Sequence, residues 1–121
     1  MAKHNELGEK GEDIACEYLI QKGYKILRRN WHFSHLEIDM IARDNEEIVI
    51  VEVKSRTEDT FEQPYEAVSK KKQRSLVEAA DAWLQEYEVD LETRFDVISI
   101  VFKGGGYVLQ HFKDAFYPPV N

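Results

Sequence analysis

Cysteine is almost missing from this chain of 121 residues. Cys16 stands alone, so no internal disulfide can form, which fits a reducing, cytoplasmic setting. No apolar run approaches the roughly 20 residues that a membrane-spanning helix needs. The first residues, Met1-Ala-Lys-His-Asn-Glu6, contain no apolar core of a signal peptide. The four histidines are scattered and show no zinc-ligand spacing. Gly104-Gly-Gly106 follows no phosphate-loop pattern and reads as a hairpin turn. Internal repeats, low-complexity tracts and linkers are also absent, so one domain over residues 1–121 is expected. A surplus of basic charge is missing too. The net charge of −7 argues against a nonspecific nucleic-acid coat.

What remains is ordinary for a water-soluble fold, with 43% hydrophobic and 32% charged residues. The charge is unevenly spread. Residues 22–32 carry Lys22, Lys25, Arg28 and Arg29 without an acid, and residues 69–76 carry Lys70, Lys71, Lys72 and Arg74 without one. Acids crowd the first helix and the stretch from Glu78 to Glu92. A local basic surface is therefore compatible with the acidic total.

Hydrophobic periodicity gives the order of elements. Residues 6–22 read as a helix with Leu7, Gly11, Ile14, Ala15, Tyr18 and Leu19 on one stripe, stopped by Gly23. Glu12 falls beside Leu19 at the rim of that stripe, away from Glu6, Glu9, Asp13 and Glu17. That is a poor place for a merely solubilising carboxylate. Tyr24–Trp31, Leu36–Arg43 and Glu46–Arg56 read as three strands, residues 57–64 as a loop, and 65–87 as a long helix. That helix presents Val68, Leu76, Ala79, Ala80, Trp83 and Tyr87. Lys72 lands inside the stripe and Gln73 near its other side, where snorkelling of the lysine is the plain explanation. Phe95–Phe102 and Tyr107–Phe112 complete the set, ahead of an irregular tail with Pro118 and Pro119. The expectation is an α/β fold, a mixed five-stranded sheet flanked by helices in the order α-β-β-β-α-β-β.

The chemistry concentrates in the second and third strands. Glu37 and Asp39 share one face of the second strand; Glu52 and Lys54 share one face of the third, which is otherwise continuous Ile and Val. Burying a carboxylate and an ammonium there is costly unless they pair or hold a metal. A four-residue loop over Asp44–Glu47 sets Asp39 opposite Glu52 and Glu37 opposite Lys54. A two-residue loop at Asp44-Asn45 sets Glu37 opposite Glu52 instead. Either register gathers three acids and a lysine within roughly 5–8 Å. The bland reading is a Glu–Lys cross-strand pair at a sheet edge. The apolar strand and the second acid pair one hairpin away favour a site for Mg2+ or Mn2+, which prefer hard oxygen donors.

Asp39, then twelve residues, then Glu52-Val53-Lys54 resembles the PD-(D/E)xK motif of restriction-endonuclease-like nucleases. More closely, the chain resembles the YraN family of small bacterial proteins, which are similar to archaeal Holliday-junction resolvases. The matching segments are Gly8-x-x-Gly11-Glu12-x-x-Ala15, Gly23-Tyr24-x-Ile26-Leu27-x-Arg29-Asn30-Trp31, Glu37-Ile38-Asp39-x-Ile41-Ala42, Val51-Glu52-Val53-Lys54-Ser55-Arg56 and Arg94-Phe95-Asp96-Val97. Leu36 departs from the glycine that family members usually have before Glu-Ile-Asp.

The resemblance implies a restriction-endonuclease-like fold and a metal-dependent phosphodiesterase site. Asp39 and Glu52 would ligate the metal, and Glu12 would approach it from the first helix. Lys54 would sit at the attacking water or the scissile phosphate. Arg29, Arg56, Lys71, Lys72 and Arg74 are the candidates for phosphate contacts, with Glu37 and Gln73 in support. The function implied is a Mg2+- or Mn2+-dependent endonuclease for structured or branched DNA, acting as a homodimer. The alternatives are a nucleic-acid-binding module without turnover and a protein-interaction domain with an acidic surface.

Overall fold

The computed structural model describes residues 2–58 and 68–118, with side chains from Glu6 onward. Two helices and five strands follow one another: α1 (Ala2–Gln21), β1 (Lys25–Phe33), β2 (Leu36–Asp44), β3 (Glu47–Thr57), α2 (Lys70–Glu86), β4 (Glu92–Lys103) and β5 (Gly106–Phe112). The strands lie in the sheet in sequence order. β3 and β4 run parallel, joined by the crossover that contains α2, and the other neighbours are antiparallel. The expected order and mixed sheet are therefore observed.

Each face of the sheet carries one helix, because the central strands are apolar on both sides. Met40, Ala42, Val49, Val51, Ile98 and Ile100 pack with Ala15 and Leu19 of α1. Ile38, Ile41, Ile48, Ile50, Phe95 and Val97 pack with Leu76, Ala79, Ala80 and Trp83 of α2. Fully burying one such aliphatic side chain is worth about 1.5–3 kcal/mol. These two layers hold β2 and β3 from above and below, and so fix the backbone that carries the acids.

Several boundaries differ from the sequence reading. α2 starts at Lys70, with Ser69 as N-cap accepting a bond from Lys72 N at 3.1 Å. Capping by a serine outweighs the apolar pattern that extends upstream. Val68, expected on the helix stripe, precedes the helix, although it is buried in the same core. The expected helical start at residues 65–67 and the loop at 59–64 lie outside the described residues. β4 begins three residues earlier than expected, at Glu92, because parallel pairing with β3 starts at Glu47↔Glu92.

The hairpin register is Met40↔Val51 to Asp44↔Glu47. Asn45 and Glu46 form the turn, with Asn45 in the left-handed region at φ 57°. The register matches the one that places Asp39 across from Glu52, and excludes the Asp44-Asn45 turn. Regular pairing ends at Met40↔Val51, however. Ile38 and Ile41 also sit in the same core layer although three apart, so strand alternation breaks between them. The two strands thus fork at Asp39 and Glu52.

Candidate metal centre

The fork is held open by a side chain. Val53 N donates to Asp39 Oδ2 at 2.8 Å, replacing the strand-to-strand bond that a continued ladder would make. Asp39 is thereby drawn into the sheet beside Glu52. Glu52 is 6% exposed, and its two carboxylate oxygens differ. Oε2 faces Lys72 Nζ at 3.7 Å, while Oε1 is buried without a hydrogen-bond partner. An unpartnered buried carboxylate oxygen is costly to maintain, and it marks a position where a ligand would be stabilising.

The titration of the pair follows from this enclosure. Burial, then the charge of Glu52, raise the Asp39 carboxyl to about 7, against the opposing bond from Val53. Burial likewise raises Glu52, while the charges of Lys72 and Lys54 work to keep it ionised. Two carboxyls so close share a proton near neutrality.

Lys72 reaches Glu52 from the first turn of α2, on the face where Glu52 lies. Lys54 is half-buried and acts on Glu52 through its field, without a direct ion pair. Lys71 and Arg74 are exposed beside Lys72, and Arg56 is half-buried at the end of β3. Gln73 plays a local role, donating to Val68 O at 3.1 Å. Arg29 is committed to Asp13, at 2.8 Å, on the outside of α1.

Glu12 arrives from α1 through a close approach of helix and strand. A Cβ on Gly11 would overlap Ser55 Oγ, so only glycine lets α1 press onto β3 at this point. One residue on, Glu12 is half-buried and accepts a bond from Asn30 Nδ2 at 2.9 Å. Burial raises its pKa, and the charges of Asp39 and Glu37 add to the rise. The same Asn30 amide nitrogen reaches Glu37 Oε2 at 3.2 Å. In the sequence Asn30 stands only as part of a matching family segment, since an asparagine in a strand carries no chemical signal of its own.

One expectation is corrected. Three acids and a lysine do not form a tight ring. Glu37 is not paired with Lys54; it faces His32 across the β1–β2 hairpin and takes the Asn30 bond. Among the described residues, no three Asp, Glu, His or Cys side chains stand close enough to hold an ion as they are. The donor set nonetheless suits a hard cation. It offers oxygens from Asp39 and Glu52, one of them unpartnered, with Glu12 linked to Asp39 by charge.

A sequence profile of an uncharacterised protein family, UPF0102, matches residues 11–100. The chain belongs to this family. It is the family called YraN in the resemblance above. A relative from Bacteroides thetaiotaomicron is 46% identical over 120 residues, covering 99% of both chains. One from Parabacteroides distasonis is 44% identical over 119 residues, covering 98% of both. One from Flavobacterium johnsoniae is 40% identical over 121 residues, covering 97% of this chain and 98% of the relative. All three are described only as UPF0102 proteins. Among the described residues, no helix is long and apolar enough to cross a membrane.

Proposed function

We propose that this UPF0102 protein is a Mg2+- or Mn2+-dependent endonuclease acting on structured or branched DNA. The observation that carries the reading is the pair of half-buried Asp39 and buried Glu52 at the strand fork, with Glu52 Oε1 lacking a partner and Lys72 and Lys54 beside it. Asp39 and Glu52 would hold the ion, with Glu12 as a further donor from α1. A divalent ion so placed lowers the pKa of bound water and offsets charge on a phosphoryl oxygen.

The chain's own residues supply the rest. Lys72 and Lys54 place positive charge where a scissile phosphate would add negative charge. Loss of the shared proton from Asp39 and Glu52 frees both carboxylates. Lys71 and Arg74 on the exposed side of α2, with Arg56 at the end of β3, present cations to flanking phosphates. Such contacts position a duplex without reading its sequence. A twofold homodimer would bring two such forks to the two strands of a branched substrate.

A second reading is a nucleic-acid-binding module without turnover. It is favoured by the closed state of the pair, in which Lys72 holds Glu52 and, among the described residues, no three-donor group is assembled. The test is a cleavage assay on junction, flap, single-stranded and duplex DNA with each metal, beside Asp39→Ala. Cutting that needs Asp39 supports the nuclease. Salt-dependent binding without cutting supports the module, and neither binding nor cutting supports a protein-interaction role.

A further inference from the structure

A second polar cluster lies at the other end of the hairpin, apart from the fork. Arg94 is buried and grips Asp96 with two nitrogens, Nε at 2.9 Å and Nη2 at 3.0 Å. Its Nη1 reaches Glu47 at 2.9 Å and Asp44 at 3.3 Å, and Nη2 donates to the Tyr24 hydroxyl at 2.7 Å. His111 Nε2 lies 2.7 Å from Asp96 Oδ2, and its Nδ1 lies 3.0 Å from the Tyr18 hydroxyl. The backbone N–H of Asp114 also donates to Asp96, at 3.1 Å. These bonds hold Asp96 ionised against its burial.

A cleft of about 210 Å³ opens onto this cluster, lined by Tyr18, Lys22, Tyr24, Asp44, His111 and Lys113. Asp44 turns its Oδ2 to Arg94, which it shares with Glu47 and Asp96, so one carboxylate remains at the cleft wall against the two lysines. Lys22 lies over the Tyr18 ring, 5.8 Å from its centroid, and Lys113 stands close enough to act on the Tyr18 hydroxyl through its charge. Tyr24 accepts from Arg94, which leaves its own O–H free to donate. The cleft therefore offers two ammonium groups and a hydroxyl donor, the set that a tetrahedral oxyanion needs.

The histidine makes this donor set depend on a proton. An ionised carboxylate only accepts, so His111 Nε2 must carry hydrogen toward Asp96. In the neutral ring Nδ1 then accepts, and the Tyr18 O–H is consumed. In the charged ring Nδ1 donates, and the Tyr18 O–H is released to the cleft. The charged and titratable groups around the ring are Tyr18 of α1, Lys22 just after it, Tyr24 before β1, Asp44 of β2, Arg94 and Asp96 of β4, and Lys113 and Asp114 after β5. Glu47 of β3 acts through Arg94.

We propose that the Tyr18–Tyr24–His111 cleft is a proton-linked binding site for a phosphate group, free or at the end of a larger molecule. The site stands whether or not the fork at Asp39 cleaves DNA. Sulfate is the suitable first probe, since it stays a dianion through the pH range in which histidine titrates. The full-length protein is titrated with sodium sulfate at constant ionic strength, at pH 6 and pH 8, while the His111 ring resonances are followed by NMR. A saturable shift is expected, tighter at pH 6 by roughly fivefold or more. The exposed Lys113→Gln variant should weaken it severalfold without unfolding the chain. His111→Gln should remove the pH dependence; if that variant fails to fold, Tyr18→Phe serves the same purpose. A 5′-phosphorylated dinucleotide, its unphosphorylated form and inorganic phosphate then separate a polymer end from a free ion. No saturable shift, equal binding at both pH values, or a shift untouched by Lys113→Gln overturns the proposal.

Discussion

Asn30 sits in the left-handed region at φ 51° within β1, and from there its amide donates to Glu12 of α1 at 2.9 Å. A strand residue in that conformation costs energy that asparagine tolerates better than most. The kink turns one amide onto both Glu12 and Glu37, which otherwise repel each other. Asn30→Asp replaces a donor by a third carboxylate. We expect it to lower stability by about 1–3 kcal/mol at pH 8, with a smaller loss at pH 4, where burial favours the protonated form of Glu12. Denaturant melts at the two pH values measure the difference, and an equal loss at both would rule out a charge role for Asn30.

Gly11 and Ser55 form the contact that lets α1 settle on β3. Gly11→Ala forces a methyl against the serine hydroxyl and should cost about 1–3 kcal/mol as overpacking. Ser55→Gly removes the obstruction, so the double variant should recover much of that loss. Ser55 Oγ is buried without a hydrogen-bond partner, so no bond is sacrificed there. A double-mutant cycle by chemical denaturation reads the coupling. Simple additivity would show that the helix approaches differently.

The fold was legible because its periodic signals are strong. Continuous Ile and Val in β3, the stripe of α2 and the acids flanking the hairpin leave few arrangements that bury the apolar faces. Alternation brought the acids of β2 and β3 together under either of two registers, and the Asn45-Glu46 turn selects the one that sets Asp39 across from Glu52. Asn30 and Arg94 stand in the matching family segments without an assigned role, for a common reason. Each acts through partners distant in sequence, Glu12 for one and Glu47 and Tyr24 for the other, and single-chain periodicity carries no trace of such pairings. The break in alternation at Asp39 was invisible too. Where the ladder ends, a side chain can leave its alternating face without any change in the apolar pattern around it.

Asp39 should make the protein less stable as pH rises. Its folded carboxyl titrates at about 7, above its ordinary value of 3.8. Below about pH 4 it is protonated in both states and contributes nothing. Between there and 7 the unfolded chain ionises first, so stability falls with rising pH and levels off above. Asp39→Asn removes this loss and keeps an acceptor for Val53 N. We expect its melting temperature to exceed the parent's by several degrees at pH 8 and by little at pH 4. Millimolar Mg2+ or Mn2+ should stabilise the parent at pH 8 and not the variant, because an ion that binds the folded carboxylates shifts the equilibrium by linkage. Equal melting of parent and variant at pH 8 would show that Asp39 is ionised without strain.

Lys72 separates a binding role from a structural one. Its side chain is 44% exposed, and the ion pair with Glu52 is long at 3.7 Å, so Lys72→Ala should cost under about 1 kcal/mol of stability. Glu52 would lose its nearest positive charge, and the proton shared with Asp39 would be held to higher pH. If Lys72 meets phosphate, the variant should bind branched DNA more weakly, and the slope of log K against log salt should fall by about one unit. Lys72→Arg should restore the slope, since it restores the charge. Fluorescence anisotropy at several salt concentrations provides both readings. Affinity and slope unchanged in Lys72→Ala would mean that Lys72 serves only to neutralise Glu52 at the start of α2, and that phosphate is gripped elsewhere.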